Sequence, residues 1–233
     1  MTPTFSHGKD TKILVDGVDV SEWFKTWDAK RDIATAETST IGNVAKTYIP
    51  GLGDGTFSLD GYADGSSGGI DGILNGAYGG TSVITCVSTL DAIGAPAVCA
   101  QVDETSLETS ADVSSAVTLK LSGQATGGID GCTVYHNLQQ ETSGGSETSI
   151  NNGGSSANGA SSYLHVTAVG TTVTVKLQNS SDNSTWVDLI DHTAVTSAPG
   201  FEKLYVAGTV LEYTRCLWTQ TGDVTFHHAV VRH

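Results

Sequence analysis

The sequence predicts an all-β protein, a β-sandwich or barrel of many short strands with a single short helix. Apolar and polar residues alternate with a period of two along most of the chain, which is the pattern of strands with one buried face. Turn-forming residues separate these segments, and glycine alone accounts for 28 of the 233 residues. Helical spacing of apolar residues is confined to one short segment, so strands must supply the architecture.

Three segments carry the alternation most clearly: residues 117–121, 173–177 and 224–230. In the first two, Val or Leu occupies every second position, and in the third these positions hold Val224, Phe226, His228 and Val230, with mostly polar residues between. Because successive side chains of a strand point to opposite faces, each segment is expected to place its apolar side chains in a core.

An N-terminal hairpin is predicted from Lys12 to Val20. Asp16-Gly17 lies between two apolar segments, and an Asp-Gly pair supplies the positive φ angles of a type I′ turn. The second strand is predicted to run on from Val18 to Ile33. By the period of two, Glu22 and Asp28 then share one face of that strand.

Two segments depart from the strand pattern. Residues 70–78 have apolar side chains at helical spacing and are predicted to form the one helix. Residues 141–162 are rich in Ser, Gly and Asn, with Ile150 as the one aliphatic side chain larger than Ala. Such a segment buries too little apolar surface to offset its chain entropy, so a long exposed loop, either flexible or partly ordered, is expected there.

A break in composition at residues 123–131 divides the chain into two predicted β-rich domains, 1–128 and 129–233. The second is expected to be a β-sandwich of the jelly-roll or immunoglobulin-like type. The first carries 16 acidic and 7 basic side chains, a net charge of −9, within a total of −14. Neither part is basic, which argues against a protein that grips nucleic acid.

Neither a membrane anchor nor an export signal is predicted. No apolar run approaches the roughly 18 residues of a membrane span. Residues 1–10 also contain no apolar stretch of signal-peptide length, so the mature chain is expected to start near Met1, in a reducing compartment.

No enzyme, cofactor or metal site is predicted. The four cysteines are far apart and are expected to be buried free thiols: Cys86, Cys99, Cys132 and Cys216. His227 and His228 must point to opposite faces of a regular strand, so without a bulge they cannot both ligate one metal. Residues 65–69 match the letters G-x-S-x-G, but an α/β-hydrolase elbow needs an alternation of strands and helices that this chain lacks.

Two passages resemble a known family. Residues 44–64 read VAKTYIPGLGDGTFSLDGYAD, within an irregular stretch that leads to the predicted helix at 69–74. Residues 155–233 contain YLHVT, VTVKLQNSSDNSTW and GTVLEYTRCLW in that order. Together they resemble the major tail proteins, or tail tube subunits, of long-tailed bacteriophages, especially phages of actinobacteria. Relatives commonly end in an Arg-rich strand, whereas this chain ends in HHAVVRH.

The resemblance implies a structural virion protein that is assembled in the host cytoplasm and located in the tail. Such subunits form rings, usually hexameric, whose sheets join around a channel. The rings stack over a tape-measure protein, with tail terminator and baseplate proteins as further partners, and viral DNA leaves through the bore without specific binding.

The resemblance also implies two sets of functional residues. Residues 35–55 are expected to form a long loop that reaches the neighbouring ring, with candidate contacts at Ile41, Tyr48, Pro50 and Leu52. An acidic bore would repel DNA phosphates and let the genome pass. The candidate channel acids are Glu22, Asp28 and Asp60.

A binding module is the competing function. Residues 129–233 alone could form a carbohydrate-binding β-domain, or the chain could decorate a capsid or tail. Five aromatic residues would be available to stack on sugars: Tyr163, Trp186, Tyr205, Tyr213 and Trp218.

Overall fold

The computed structural model describes residues 8–42, 44–66, 69–87 and 91–233. Within these ranges the chain forms one helix, α1 (Ile70–Ala77), a 3-10 turn (Gly8–Asp10), and strands β1 (Lys12–Val15), β2 (Val18–Asp19), β3 (Phe24–Glu37), β4 (Tyr48–Tyr62), β5 (Thr81–Val87), β6 (Pro96–Ser110), β7 (Thr118–Glu141), β8 (Gly145–Ser146), β9 (Ile150–Asn151), β10 (Ala160–Val169), β11 (Thr172–Ser180), β12 (Val187–Asp191), β13 (Gly200–Val206), β14 (Tyr213–Thr221) and β15 (Val224–Arg232). The predictions of an all-β fold and of a single short helix are confirmed. No helix of the described ranges is long and apolar enough to cross a membrane.

The chain divides into two compact units. Unit 1 comprises the described residues of Met1–Glu22, Val83–Cys99 and Asp130–His233, and unit 2 comprises those of Trp23–Ser82 and Ala100–Ile129. The predicted division at residue 128 differs from these units, because it assigns residues 8–22 and 83–99 to the first domain. A break in composition records a change along the chain, whereas the units follow pairing between strands that are distant in sequence.

Unit 1 contains a β-sandwich. One sheet has β13, β10, β15 and the C-terminal part of β7 in that order, and the other has β12, β11 and β14, with β8 and β9 paired to β14. Side chains from both sheets form a common buried core, including Tyr135, Leu164, Val175, Leu177, Trp218 and Phe226. The predicted strands 173–177 and 224–230 are β11 and β15, each with its apolar side buried.

The predicted N-terminal hairpin is present in unit 1 as β1 and β2. Asp16 and Gly17 have φ angles of 49° and 80°, as a type I′ turn requires. A Cβ atom on Gly17 would lie 2.5 Å from the carbonyl oxygen of Gly200, so this turn also needs glycine for close packing.

The predicted continuous strand from Val18 to Ile33 is wrong. β2 ends at Asp19, a turn follows at residues 21–23, and β3 starts at Phe24. Asp19 accepts hydrogen bonds from the main-chain N–H and the hydroxyl of Ser21, which is a local turn that competes with strand geometry. Glu22 therefore lies in a turn and shares no strand face with Asp28.

The loop predicted at 141–162 is irregular over most of its length, exposed or half-buried as far as residue 158, and partly ordered by the two-residue strands β8 and β9. The main-chain N–H of Glu147 donates to Cys216, and that of Asn152 donates to Glu212, both on or next to β14. Ile150 packs against the sandwich core. Main-chain hydrogen bonds to an existing strand order this polar segment, and composition alone does not reveal them.

All four cysteines are free and buried, as predicted: Cys86, Cys99, Cys132 and Cys216. Burial raises the pKa of the Cys86 and Cys216 thiols well above the ordinary value, which keeps them protonated and unreactive. Their role is to fill the core.

Candidate functional site

The sheet of unit 2 has an apolar buried face and a polar face, named here the open face. The buried side chains include Phe57 and Leu59 of β4 and Leu119 and Leu121 of β7. The residues between them point the other way, and the open face comprises Asp28 and Lys30 of β3, Thr56, Ser58 and Asp60 of β4, Lys120, Ser122 and Gln124 of β7, and Asp103 and Thr105 of β6. The strict alternation along β4 and β7 produces this division.

Strand register sets the order of the open face. Asp28 lies opposite Ser58, which in turn lies opposite Ser122 of β7. Lys30 lies opposite Thr56, one residue pair further along the same face. The residues form cross-strand rows, so each side chain on β4 has neighbours on both sides.

Two of the three candidate channel acids lie on the open face, Asp28 and Asp60. Asp60 forms an ion pair with Lys25, with 2.9 Å between Oδ1 and Nζ, and it lies directly opposite Lys120 in register. Lysines therefore accompany the acids at this part of the face. The third candidate, Glu22, lies in the turn before β3.

A concavity of about 260 Å³ lies at the centre of the open face. Its lining includes Lys30 and Lys120, the carboxylate-bearing Asp28, and the hydroxyls of Ser58 and Ser122. Lys30 forms an exposed ion pair with Asp32, with 2.7 Å between Nζ and Oδ2. The sequence predicts Asp28 as a channel acid but singles out neither lysine. The Leu119–Lys120–Leu121 alternation shows that Lys120 faces outward, but only the β4–β7 register shows which residues it faces.

The segment predicted to be a loop at 35–55 is largely a β-hairpin. β3 and β4 pair from Phe24 opposite Gly61 to Glu37 opposite Tyr48, and only residues 38–47 connect them. The connection is held by a hydrogen bond from the N–H of Thr38 to the carbonyl of Thr47 and by an ion pair between Lys46 and Glu37. The loop prediction is wrong here because the irregular composition of the segment gives no sign of its long strand pairing.

The outer half of this hairpin pairs only with itself. β7 pairs with β4 over Thr56–Tyr62, so residues 48–55 have β3 as their one described partner strand. At about 3.4 Å per residue, this two-stranded ribbon is about 25 Å long. The exposed fraction of Ile33 is 63% and that of Ile41 is 108%.

The four candidate contact residues all belong to this hairpin. Ile41 lies in the connection and Tyr48 at the start of β4, where its side chain is half exposed. Pro50 and Leu52 belong to β4, but their side chains lie outside the described residues. Ile49, which was not predicted, is exposed next to Tyr48.

Unit 2 also has two free sheet edges. Among the described strands, β3 pairs only with β4. At the opposite edge of the sheet, β5 lies next to β6 but starts only at Thr81. The N–H of Glu104 in β6 donates to the carbonyl of Gly80, the residue before β5. The part of β6 beyond Glu104, Thr105–Ser110, therefore extends past the end of β5. Unpaired main-chain groups at such edges are available to another strand.

Buried histidines form a polar network in unit 1. Ser162 Oγ lies 2.8 Å from His192 Nε2 and 2.6 Å from His228 Nε2, and His192 Nδ1 lies 2.9 Å from Glu202. His192 donates from Nδ1 to the carboxylate and accepts from Ser162, so His228 must donate from Nε2 to Ser162. Burial lowers the pKa of both histidines, which keeps them neutral.

The network is structural, because Ser162 and His228 are completely buried. His227 points to the other face of β15, toward Asp91, so the prediction that His227 and His228 face opposite ways is confirmed. Within the described residues, no three His, Cys, Asp or Glu side chains are placed to share a metal ion.

The aromatic residues of the competing function are divided between core and surface. Tyr163 and Trp218 are buried, so neither can stack on a sugar. Tyr205 is exposed, and Trp186 packs with its ring 4.1 Å from the guanidinium carbon of Arg215.

Three solved structures resemble this chain at low identity. No protein-family model and no curated protein matches it. The virion of a native gene transfer agent particle contains a chain with 12% identity and a TM-score of 0.44, covering 55% of this chain and 98% of that one. The SPP1 Dit protein, described as a hub adsorption apparatus of phages that infect Gram-positive bacteria, has 10% identity and a TM-score of 0.39, covering 95% and 99%.

The third is a chain of the phage p2 baseplate in its activated conformation, with 8% identity and a TM-score of 0.35, covering 96% of this chain and 98% of that one. The three neighbours thus belong to a virion, a phage adsorption apparatus and a phage baseplate. At these scores the likeness alone assigns no function to this chain.

Proposed function

We propose that this protein is a structural subunit of a phage tail that joins identical copies into stacked rings around a channel. The outer half of the β3–β4 hairpin carries the proposal. An isolated two-stranded hairpin is marginally stable in water, and this one exposes large apolar side chains at Ile33, Ile41, Tyr48 and Ile49. A neighbouring copy that covers the hairpin stabilises it and buries these apolar side chains.

The free edges of unit 2 supply the contact within a ring. β3 of one copy pairs with residues 105–110 of β6 in the next copy, a head-to-tail contact that closes after a fixed number of subunits, usually six in the family that the sequence resembles. In this ring the open face points toward the channel through which DNA passes. The tape-measure protein lies inside the tube, and terminator and baseplate proteins bind its ends.

The polar open face supports this orientation. Its side chains are carboxylates, lysines, hydroxyls and one amide, which stay hydrated. The three acids of the face, Asp28, Asp60 and Asp103, outnumber its two lysines, Lys30 and Lys120. A mildly acidic wall weakens DNA binding through like-charge repulsion.

The test is the assembly state of the purified full chain. Light scattering and electron micrographs should show rings or tubes with a central hole, and Ile41→Ser with Tyr48→Ser should give separate rings or monomers. Val187→Ser, at a side chain of similar exposure in unit 1, is the matched control and should assemble normally. A wild-type chain that stays monomeric at all concentrations, even with its tape-measure protein, would exclude the proposal.

A carbohydrate-binding module is the second candidate, and Trp186 is the observation that favours it. Arg215, which stacks on that ring, donates two hydrogen bonds to Gln178, and Gln178 donates to Asp188. This row places an aromatic ring beside fixed polar groups. Binding on a glycan array that is lost in Trp186→Ala, with no rings in micrographs, would select this function instead.

A further inference from the structure

We propose that the concavity on the open face is a contact site for phosphate groups, which in the assembled tube belong to the backbone of the passing DNA. The biological occupant rests on the proposed function, because DNA reaches the site only if the open face lines a channel. The chemistry of the site rests on the lining residues alone.

The charge of the concavity departs from that of the chain. The chain has 25 acidic and 11 basic residues, whereas the lining has two lysines, Lys30 and Lys120, and one carboxylate, Asp28. The lining therefore reverses the ratio of basic to acidic residues found in the chain as a whole. Lysine binds phosphate as a mobile point charge, so it suits a ligand that moves past the site.

The remaining lining supplies hydrogen-bond donors. Hydroxyls from three strand positions, Thr56, Ser58 and Ser122, surround the two lysines. The amide of Gln124 has one N–H left beside the one that it donates to Asp54, whereas the Thr105 hydroxyl already donates to the carbonyl of Ser122. Hydroxyl and amide groups are common donors to phosphate oxygens, and they carry no base specificity. The exposed side chains between the lysines are thus polar, and the buried Phe57 and Gly123 complete the lining.

The position of the two lysines suits an extended ligand. In register, Lys30 lies opposite Thr56, and Lys120 lies opposite Asp60, four residues further along β4. Two strand spacings and four residues place their Cα atoms about 17 Å apart. Each lysine can therefore contact a different phosphate of one polymer, while a single free phosphate fills only one end.

Carboxylates next to both lysines keep the contact weak. Asp32 lies 2.7 Å from Lys30, and Asp60 lies directly opposite Lys120. Asp28 lies between them and repels phosphate. Each carboxylate competes with the ligand for the lysine, which gives contact without retention.

The experiment measures binding of a fluorescein-labelled DNA duplex of about 20 base pairs to the full chain by anisotropy, from about 20 mM to 200 mM NaCl. Saturable binding at low salt is expected, with a slope of log K against log salt near −2 for two neutralised phosphates. Lys30→Gln and Lys120→Gln should each weaken binding about tenfold at low salt and reduce the slope by about one. Asp28→Asn should strengthen it severalfold.

Lys46→Gln is the matched control, because Lys46 belongs to the same unit and is ion-paired to Glu37 on the hairpin. Its binding should equal that of the wild type. Absence of binding, or equal binding by the Lys30 and Lys120 variants, overturns the proposal. Inorganic phosphate is titrated separately at constant ionic strength, and a site that binds it without binding the duplex also overturns the DNA assignment.

Failure of this site and failure of the proposed function give different results. Rings in micrographs without DNA binding exclude the phosphate site and leave assembly intact. DNA binding that depends on Lys30 and Lys120 in a chain that never forms rings keeps the site and excludes the tube.

Discussion

The main-chain N–H of Gly17 donates to Nδ1 of His165, which lies 3.1 Å away in the interior of unit 1. The other ring nitrogen of His165 lies 3.0 Å from the hydroxyl of Thr85. Because Nδ1 accepts a hydrogen bond, the imidazole must be the neutral tautomer with its proton on Nε2. One histidine thus connects the N-terminal hairpin, β10 and β5.

Acid should destabilise the protein through this histidine. Burial lowers the pKa of His165 to about 3, and nearby His227 contributes in the same direction. The unfolded chain binds a proton near pH 6.5, so the stabilisation is complete above that pH and is lost as pH falls from about 6.5 toward about 3. The lowered pKa of His165 alone should reduce the free energy of unfolding by about 2 kcal/mol between pH 7 and pH 5.

Urea denaturation at several pH values measures this effect. His165→Gln should be less stable at pH 7 but should flatten the pH dependence between pH 6.5 and pH 5. His233→Gln, at an exposed histidine, should leave the slope unchanged. A slope that is identical in the wild type and in His165→Gln would contradict the role assigned to His165.

Gly17→Ala should be more destabilising than a positive φ angle alone explains. Gly17 and Gly79 have nearly equal φ angles of 80° and 79°, but a Cβ on Gly17 would meet the backbone of Gly200, whereas a Cβ on Gly79 would meet nothing within 4 Å. We expect Gly79→Ala to cost about 1 kcal/mol and Gly17→Ala about 3 kcal/mol or more in the free energy of unfolding. Equal losses in chemical denaturation would show that the hairpin does not depend on this close approach.

The comparison of these residues shows what the sequence can predict. The Asp16-Gly17 turn and the strands 173–177 and 224–230 follow from local rules, since turn chemistry and a period of two are encoded within a few residues. That Gly17 packs on Gly200 and His165 is not encoded locally. It depends on packing between segments 148 and 183 residues apart in the sequence.

For the candidate site, too, the sequence predicts the direction of each side chain but not its partners. That Asp60 and Lys120 each point away from the buried side of a strand follows from their flanking residues. That they face each other depends on the register of β4 with β7. The hairpin at Phe24–Tyr62 was missed as a long ribbon because its outer half has few buried residues, so it lacks the alternation that reveals a half-buried strand.

Shortening the hairpin should separate folding from assembly. In this variant an Asn-Gly turn replaces residues 34–52 and joins Ile33 to Gly53, which lie opposite each other in β3 and β4. The change removes exposed residues and leaves the pairing of Thr56–Tyr62 with β7. The shortened chain should keep its unfolding free energy within about 1 kcal/mol and should fail to stack into tubes. Tubes of ordinary length in electron micrographs would exclude a role for the hairpin between rings.

Reversing the charge of the open-face acids should impair DNA passage more than assembly. Asp28 lies in the lysine-lined concavity and Asp60 is ion-paired to Lys25, so lysine at either position removes a carboxylate that competes with phosphate and adds a positive charge. DNA should then be retained, and the attraction should weaken as salt screens it. Phage that carry Asp28→Lys and Asp60→Lys should form tails of normal length but eject DNA more slowly, with partial recovery at higher salt.

Asp191→Lys, at an exposed acid of unit 1, is the control, and phage that carry it should eject DNA normally. Normal ejection by the double variant would mean that neither acid faces the DNA.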